Sequence, residues 1–316
     1  MPRFSRHVVP GPGPGSRSSM AVVQFLLTFR EGLEAALIVG IIGAYLVKVG
    51  RTDLSRFVYA GSVLAVVTSV AIGVGVYLWA GTLDEGSWEP AAFEGVAALT
   101  AVAVLTYMIF WMAKNSRKLK GELEQKIDLT LSRGQLLGIA LVSFVAVFRE
   151  GVETVLFLSP YAVVDVTATA VGILVAIALV LVLAYLMFRG AYRLDLRKFF
   201  TYTSLLLIVF AAGLVAVGVH ELNEVHEMTG VGIPAVIDHV WDINPILDEK
   251  GVAGSLLASL LGYNGNPSLT EVAAYLAYWA VAGTYALWIY GPGRVRASML
   301  RIARTLRLVR RPVVQG

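Results

Sequence analysis

The sequence predicts an all-α, polytopic membrane protein with seven transmembrane helices, arranged as two inverted three-helix repeats plus a seventh helix. Three observations carry that expectation. Of 316 residues, 57% are hydrophobic and 15% charged, against about 25% charged in ordinary soluble domains, and the apolar residues gather into runs of about 20, long enough to cross a bilayer. The segments between those runs alternate sharply in charge. Finally, Phe29-Arg30-Glu31-Gly32-Leu33-Glu34 returns 119 positions later as Phe148-Arg149-Glu150-Gly151-Val152-Glu153. Three predicted spans separate the copies, so one motif helix runs outside-to-inside and the other inside-to-outside, the inverted construction common in secondary transporters.

In chain order, residues 1–19 are rich in Pro, Gly, Ser and Arg and are expected to be a disordered tail. No signal-peptide pattern follows, and Met20 is a candidate start. A permease domain is expected over 20–291. Its spans fall at Ala21–Val47, Phe57–Ala80, Ala91–Ala113, Gln135–Pro160, Val166–Phe188, Phe199–His220 and Leu269–Tyr290. Repeat one covers 20–113 and repeat two 135–224. An outer loop follows over 221–268, the seventh span over 269–290, and a basic cytoplasmic tail over 292–316.

The first, third and fifth loops and the tail hold 20 of the 26 Lys+Arg residues, whereas the second, fourth and sixth loops hold only Lys250. By the positive-inside rule the N-terminus lies outside and the C-terminus in the cytoplasm of a multi-pass cell-membrane protein. The outer loops are acidic, with Asp84, Glu85 and Glu89 in the second, Asp165 in the fourth and seven carboxylates in the sixth. This reads either as a solvated face or as an attractor of cations. Lys114 to Arg133, of mixed charge, is expected to be an exposed helical hairpin or linker. Arg294 to Arg311 holds seven arginines, with Arg301, Arg304, Arg307 and Arg310 three apart, and reads as an amphipathic helix on the anionic inner leaflet.

The two hexapeptides carry the chemistry. An ionisable residue inside a span costs roughly 2.5–3.5 kcal/mol on insertion scales, so six of them mark a functional site. On a helix Glu31 and Glu34 share a face, and Arg30 lies one turn from Glu34. Glu31 lies 11 residues from Met20 and Glu150 lies 10 residues from Pro160, so at about 1.5 Å per residue both reach the middle of the bilayer. Four carboxylates and two guanidiniums leave a formal charge of −2. With no cysteine in the chain and no histidine in the motif, the ligands are hard oxygens suited to Mg²⁺, Mn²⁺, Ca²⁺ or iron. If each arginine pairs with its i+4 glutamate, Glu31 and Glu150 remain for the ion. Glu94 at the start of the third span, and His220, Glu221 and Glu224 at the end of the sixth, are candidate vestibule ligands. Glu94 equally reads as interfacial and His220 as a cap or surface residue.

The paired motifs resemble those of the high-affinity iron permease family of fungi and bacteria, the oxidase-dependent iron transporters. The resemblance runs from Met20 to Tyr290. It includes Phe93-Glu94-Gly95, Thr106-Tyr107-Met108 through Trp111-Met112, Val240 to Pro245 and Gly262 to Pro267, the last two like the bacterial branch; Val152 replaces the leucine of the strict motif. The resemblance implies iron as transported substrate, with Glu31, Glu34, Glu150 and Glu153 as ion ligands and Arg30 and Arg149 as their charge partners. It also implies an extracytoplasmic ferroxidase or iron-binding partner protein. No motif for nucleotide binding, nucleic-acid binding or covalent catalysis is present, so an enzyme is not expected, nor a bound organic cofactor. Two other classes fit the residues: a transporter of another hard cation such as Mn²⁺ or Pb²⁺, or a non-transporting membrane scaffold whose motifs lock helices together.

Overall fold

The computed structural model describes residues 14–84, 86–115, 118–132, 136–162, 166–188, 196–237, 239–249 and 251–290. The expected disorder of residues 1–13 and the amphipathic tail helix beyond 290 lie outside them. Residues 14–19, expected in that tail, are instead helical: α1 spans Pro14–Lys48. Proline suits the first turn of a helix, where its missing N–H has no intrahelical partner. At the other end Gly50 takes φ +71, its N–H reaches the Val47 carbonyl and the Arg51 N–H reaches Leu46. That left-handed glycine closes the helix as a Schellman motif.

Helices α2 Ser55–Ala80, α3 Glu89–Asn115, α5 Leu136–Ala162 and α6 Val166–Phe188 lie close to expected spans, while α4 Leu119–Ser132 falls outside them and α7 Leu196–Thr229 runs on past His220. After α8, Val252–Leu261, the chain ends its described part in α9, Leu269–Tyr278, a π-helical turn at Trp279–Gly283 and α10, Thr284–Tyr290. No strand occurs among the described residues. Five ranges are long and apolar enough to cross a membrane, at 52–80, 89–115, 169–187, 201–229 and 269–289. On α2 and α6 large apolar side chains such as Val63, Leu64, Leu174 and Leu181 lie open to the surroundings. Faces of that kind suit a lipid solvent.

Two apolar clusters fix the bundle. One joins Val23 and Leu27 to Leu105, Phe157 and Leu214; the other joins Ile38, Ile42 and Leu46 to Val58, Ile127 and Ile139. α1 runs from the first cluster to the second and α5 from the second to the first, so the motif helices are antiparallel. Each packs most extensively on the second helix of the other half, α1 on α6 and α5 on α2, while α3 packs on α7.

The close approaches come in matched pairs. A Cβ on Gly61 would lie 2.2 Å from the Ala140 carbonyl oxygen, and one on Gly172 would lie 2.6 Å from that of Ala21. A Cβ on Gly32 would meet Val180, and one on Gly151 would meet Ser69. Between α3 and α7, Gly95 faces Leu222 and Gly218 faces Leu99. At Gly61 and Gly172 only glycine lets the backbones approach this closely.

Two segments differ from expectation. Between Lys114 and Arg133 the described residues form helix α4, largely exposed as expected, but Leu123 and Ile127 one turn apart bury themselves in the second cluster. The loop over 221–268 is not all surface either. α7 continues to Thr229, and α8 then dips beside it, ending in Gly262 at φ +69. A Cβ on Gly262 would lie 2.3 Å from Gly213 Cα, while Asn223 meets Ser268 at 3.0 Å. Ten residues of α7 separate those two contacts, about 15 Å along the axis. The C-terminal end of α8 is therefore set deep against α7 and also packs on α1. Ten residues, two of them serine, are too few to span a bilayer, so this segment reads as a loop in the sequence.

Candidate cation site

The two hexapeptides meet where α1 crosses α5, between the apolar clusters. Arg30, Glu31, Glu34 and Glu150 are 1–3% exposed. Buried charges are tolerated only when paired, and the pairing is within each motif. Arg30 binds Glu31 through one guanidinium nitrogen and Glu34 through the other at 2.7 Å. Arg149 holds Glu150 at 2.5 Å and lies 3.7 Å from Glu153. Each planar fork thus spans both glutamates of its own motif. Glu31 and Glu150 would be left for an ion only if each arginine paired with its i+4 glutamate alone, and that condition is not met. Because a guanidinium reaches both i+1 and i+4, one oxygen of every glutamate stays unpartnered: Oε2 of Glu31, Glu34, Glu150 and Glu153 has no hydrogen-bond partner.

One carboxylate oxygen each from Glu31, Glu34 and Glu150 lies within 4.8 Å of the other two. Hard cations bind oxygens at about 2.0–2.6 Å, so a small inward movement of these side chains would let the three oxygens share one ion. Glu153 stands outside that triad, with its side chain 14% exposed, yet remains in the electrostatic field of Arg30 and Glu31. The arginines are unequal. Arg30 is sealed, with Met108 Sδ 4.0 Å away. Arg149 is 42% exposed and lies over the Trp111 ring at 5.6 Å, a cation–π contact. Met108 and Trp111, one turn apart on α3, therefore brace the two guanidiniums; the sequence offered them only as part of a resemblance.

The remaining candidates gather where α3 begins and α7 ends. Glu94 shares its surroundings with Glu221 and Glu224, and a Cβ on Gly95 would lie 3.2 Å from Glu221 Cβ. His220 pairs through Nδ1 with Glu271 at 3.2 Å. Glu271, 4% exposed, also accepts from Asn264 Nδ2 at 2.8 Å and Ser268 Oγ at 3.0 Å. Sequence reasoning missed this residue. Its signal was present, since Ser268-Leu269-Thr270-Glu271 is a capping box opening α9.

Among known proteins, the family model described as the iron permease FTR1 family matches residues 21–303. An uncharacterized protein of Archaeoglobus fulgidus is 41% identical over 261 residues, 81% of this chain and 91% of its own. The ferrous iron permease EfeU of Escherichia coli O6:H1 is 37% identical over 81% of this chain and 91% of its own. The Yersinia pestis protein of the same name is 35% identical over 90% of this chain and 99% of its own. No solved structure matches the chain. A family match across nearly all the described helices, with named relatives matched over more than nine-tenths of their length, means that the chain belongs to the iron permease FTR1 family.

Proposed function

We propose that the protein carries ferrous iron inward across the cell membrane, and that the ion passes through the Glu31–Glu34–Glu150–Glu153 site. One observation carries this reading: three buried carboxylate oxygens from two antiparallel helices lie within 4.8 Å of one another, while each glutamate keeps an unpartnered oxygen. A motif that only locked helices together would close its ion pairs on themselves. Here the arginines offset part of the repulsion among four carboxylates and leave the facing oxygens for a cation. Its relatives named ferrous iron permeases favour Fe²⁺ over Mn²⁺ or Pb²⁺ as cargo, and Fe²⁺ equals the formal −2 of the site.

The proposal includes seven spans, with α1 and α5 crossing the membrane as the first and fourth. The contact of Gly61 with Ala140 matches that of Gly172 with Ala21, and the contact of Gly32 with Val180 matches that of Gly151 with Ser69; together with antiparallel motif helices, these support two inverted three-helix repeats. The loop charges support an outside N-terminus. Glu94, Glu221, Glu224 and His220 then form an acidic vestibule at the outer end that raises the local cation concentration.

The test is uptake of labelled iron by protein reconstituted in liposomes, with iron held ferrous by reductant or presented as a ferric chelate. Ferrous uptake is expected to exceed ferric, and each single Glu→Gln change at the four positions to slow it at least tenfold in protein that still inserts. Parental rates in all four variants would dismiss the site.

A further inference from the structure

Outward of Glu31, α1 carries two more buried polar side chains that the glutamate site does not use. Gln24 is 0% and Thr28 6% exposed. With Glu31 they stand at i, i+4 and i+7, one stripe of the helix. At about 1.5 Å per residue, Thr28 lies about 4.5 Å and Gln24 about 10.5 Å along the axis from Glu31. The Gln24 amide nitrogen donates to Thr169 Oγ1 on α6 at 2.6 Å. Its Oε1, the Thr28 hydroxyl and Glu31 Oε2 all lack hydrogen-bond partners. Thr28 is unusual for this protein, because a hydroxyl inside a helix ordinarily returns its proton to the carbonyl four residues back. Ser62, Thr68, Ser69, Thr100, Ser143 and Thr154 do so here.

Packing does not require these oxygens. The Gly172–Ala21 and Gly61–Ala140 contacts set the register between the halves, 119 residues from α1 to α5 and 111 from α2 to α6. In that register Gln24, Thr28 and Thr169 correspond to Ser143, Val147 and Val58. Val147 and Val58 are buried at 4% and 1%, and the Ser143 hydroxyl is satisfied by the Ile139 carbonyl. Equivalent positions thus accept apolar or self-satisfied side chains, and only the α1 side keeps unpartnered oxygens. Burying an unsatisfied polar atom opposes stability, so the stripe is a feature that folding alone does not favour.

We propose that Gln24 Oε1 and the Thr28 hydroxyl form a neutral oxygen subsite on the outer side, which holds the hard cation as it sheds water before it reaches Glu31. The proposal rests on the reading that the glutamates carry the cation and that α1 enters from outside. Amide and hydroxyl oxygens are suited to hard cations. Lacking charge, they hold the ion less tightly than carboxylates and hand it on rather than trap it.

The test compares Thr28→Val, Thr28→Ser and Gln24→Met in proteoliposomes given ferrous iron under reductant, with thermal unfolding of each variant and equilibrium Fe²⁺ affinity at the glutamates. Valine keeps the threonine shape and removes the oxygen. The expected result for Thr28→Val and Gln24→Met is at least fivefold slower uptake, affinity within twofold of the parent, and an unfolding temperature equal or higher for Thr28→Val. Thr28→Ser should stay within twofold of the parent in rate. Parental uptake by Thr28→Val overturns the proposal. So does slow uptake shared equally by Thr28→Ser, or accompanied by a lowered unfolding temperature, since either marks a packing role. Glu31→Gln separates the two readings: loss there beside parental Thr28→Val removes only the outer subsite, whereas parental uptake by Glu31→Gln removes the glutamate reading and this one with it.

Discussion

Substituting Gly151 by alanine tests how tightly the second motif helix is held against α2. A Cβ at that position would lie 2.1 Å from Ser69 Oγ and 2.6 Å from Ser69 Cβ. Rotating the hydroxyl away does not relieve the clash, because Ser69 Cβ is fixed by its backbone and is itself too close. The Ser69 hydroxyl moreover holds the Ala65 carbonyl at 2.9 Å. Overpacking costs about 1–3 kcal/mol, against a gain of about 1 kcal/mol for alanine over glycine inside a helix. The net loss is up to about 2 kcal/mol, and the helix shift moves Glu150 and Glu153 with it. Gly32→Ala is the control. Its Cβ would lie 3.1 Å from a terminal methyl of Val180, which gives way by a few tenths of an ångström, so the change is expected to be close to neutral. Thermal unfolding in detergent and iron uptake should both rank the parent and Gly32→Ala above Gly151→Ala. Adding Ser69→Gly to Gly151→Ala should restore stability better than adding Ser69→Ala, which leaves the offending Cβ. A Gly151→Ala protein as stable as the parent, or a double variant no better than the single, would refute this account of the α2–α5 contact.

The arginines should not respond alike. Lysine keeps the charge but offers one nitrogen where the guanidinium offers a fork, so Arg30→Lys, sealed at 2% exposure, should slow uptake and lower the unfolding temperature more than Arg149→Lys at 42%. The opposite order, or parental behaviour in both, would contradict the charge-partner role. The topology is checked by single cysteines in a chain that has none: membrane-impermeant reagents applied outside should modify Asp84→Cys and Ile246→Cys and spare Ser132→Cys. Strong external labelling at 132 would overturn the orientation.

Much of this arrangement is legible in the sequence because the membrane imposes coarse rules. Long apolar runs give helices, and duplicated arginines and glutamates in a setting that disfavours charge mark the candidate site. What stays hidden depends on neighbours distant in sequence. Spacing alone cannot tell whether Arg30 serves Glu31, Glu34 or both, since i+1 and i+4 are both within a guanidinium's reach. Leu123 and Ile127 sit among charged residues, and only the groove between α1 and α5 shows why they are buried. The approach of Gly262 to Gly213 joins positions 49 residues apart, and neither glycine announces its partner. Gln24 and Thr28 are missed for a similar reason. A polar residue in a span draws notice only when its oxygen is known to lack a partner, which is a property of the folded protein.

The central claim, that iron is held by the glutamates where α1 crosses α5, is tested most directly by locating the ion. Anomalous scattering from crystals of the full chain grown with ferrous iron under reductant should place a peak among the oxygens of Glu31, Glu34 and Glu150, about 2.0–2.6 Å from each. Glu31→Gln should weaken or remove that peak. Iron found only among Glu94, Glu221 and Glu224, with none between α1 and α5, would contradict the account.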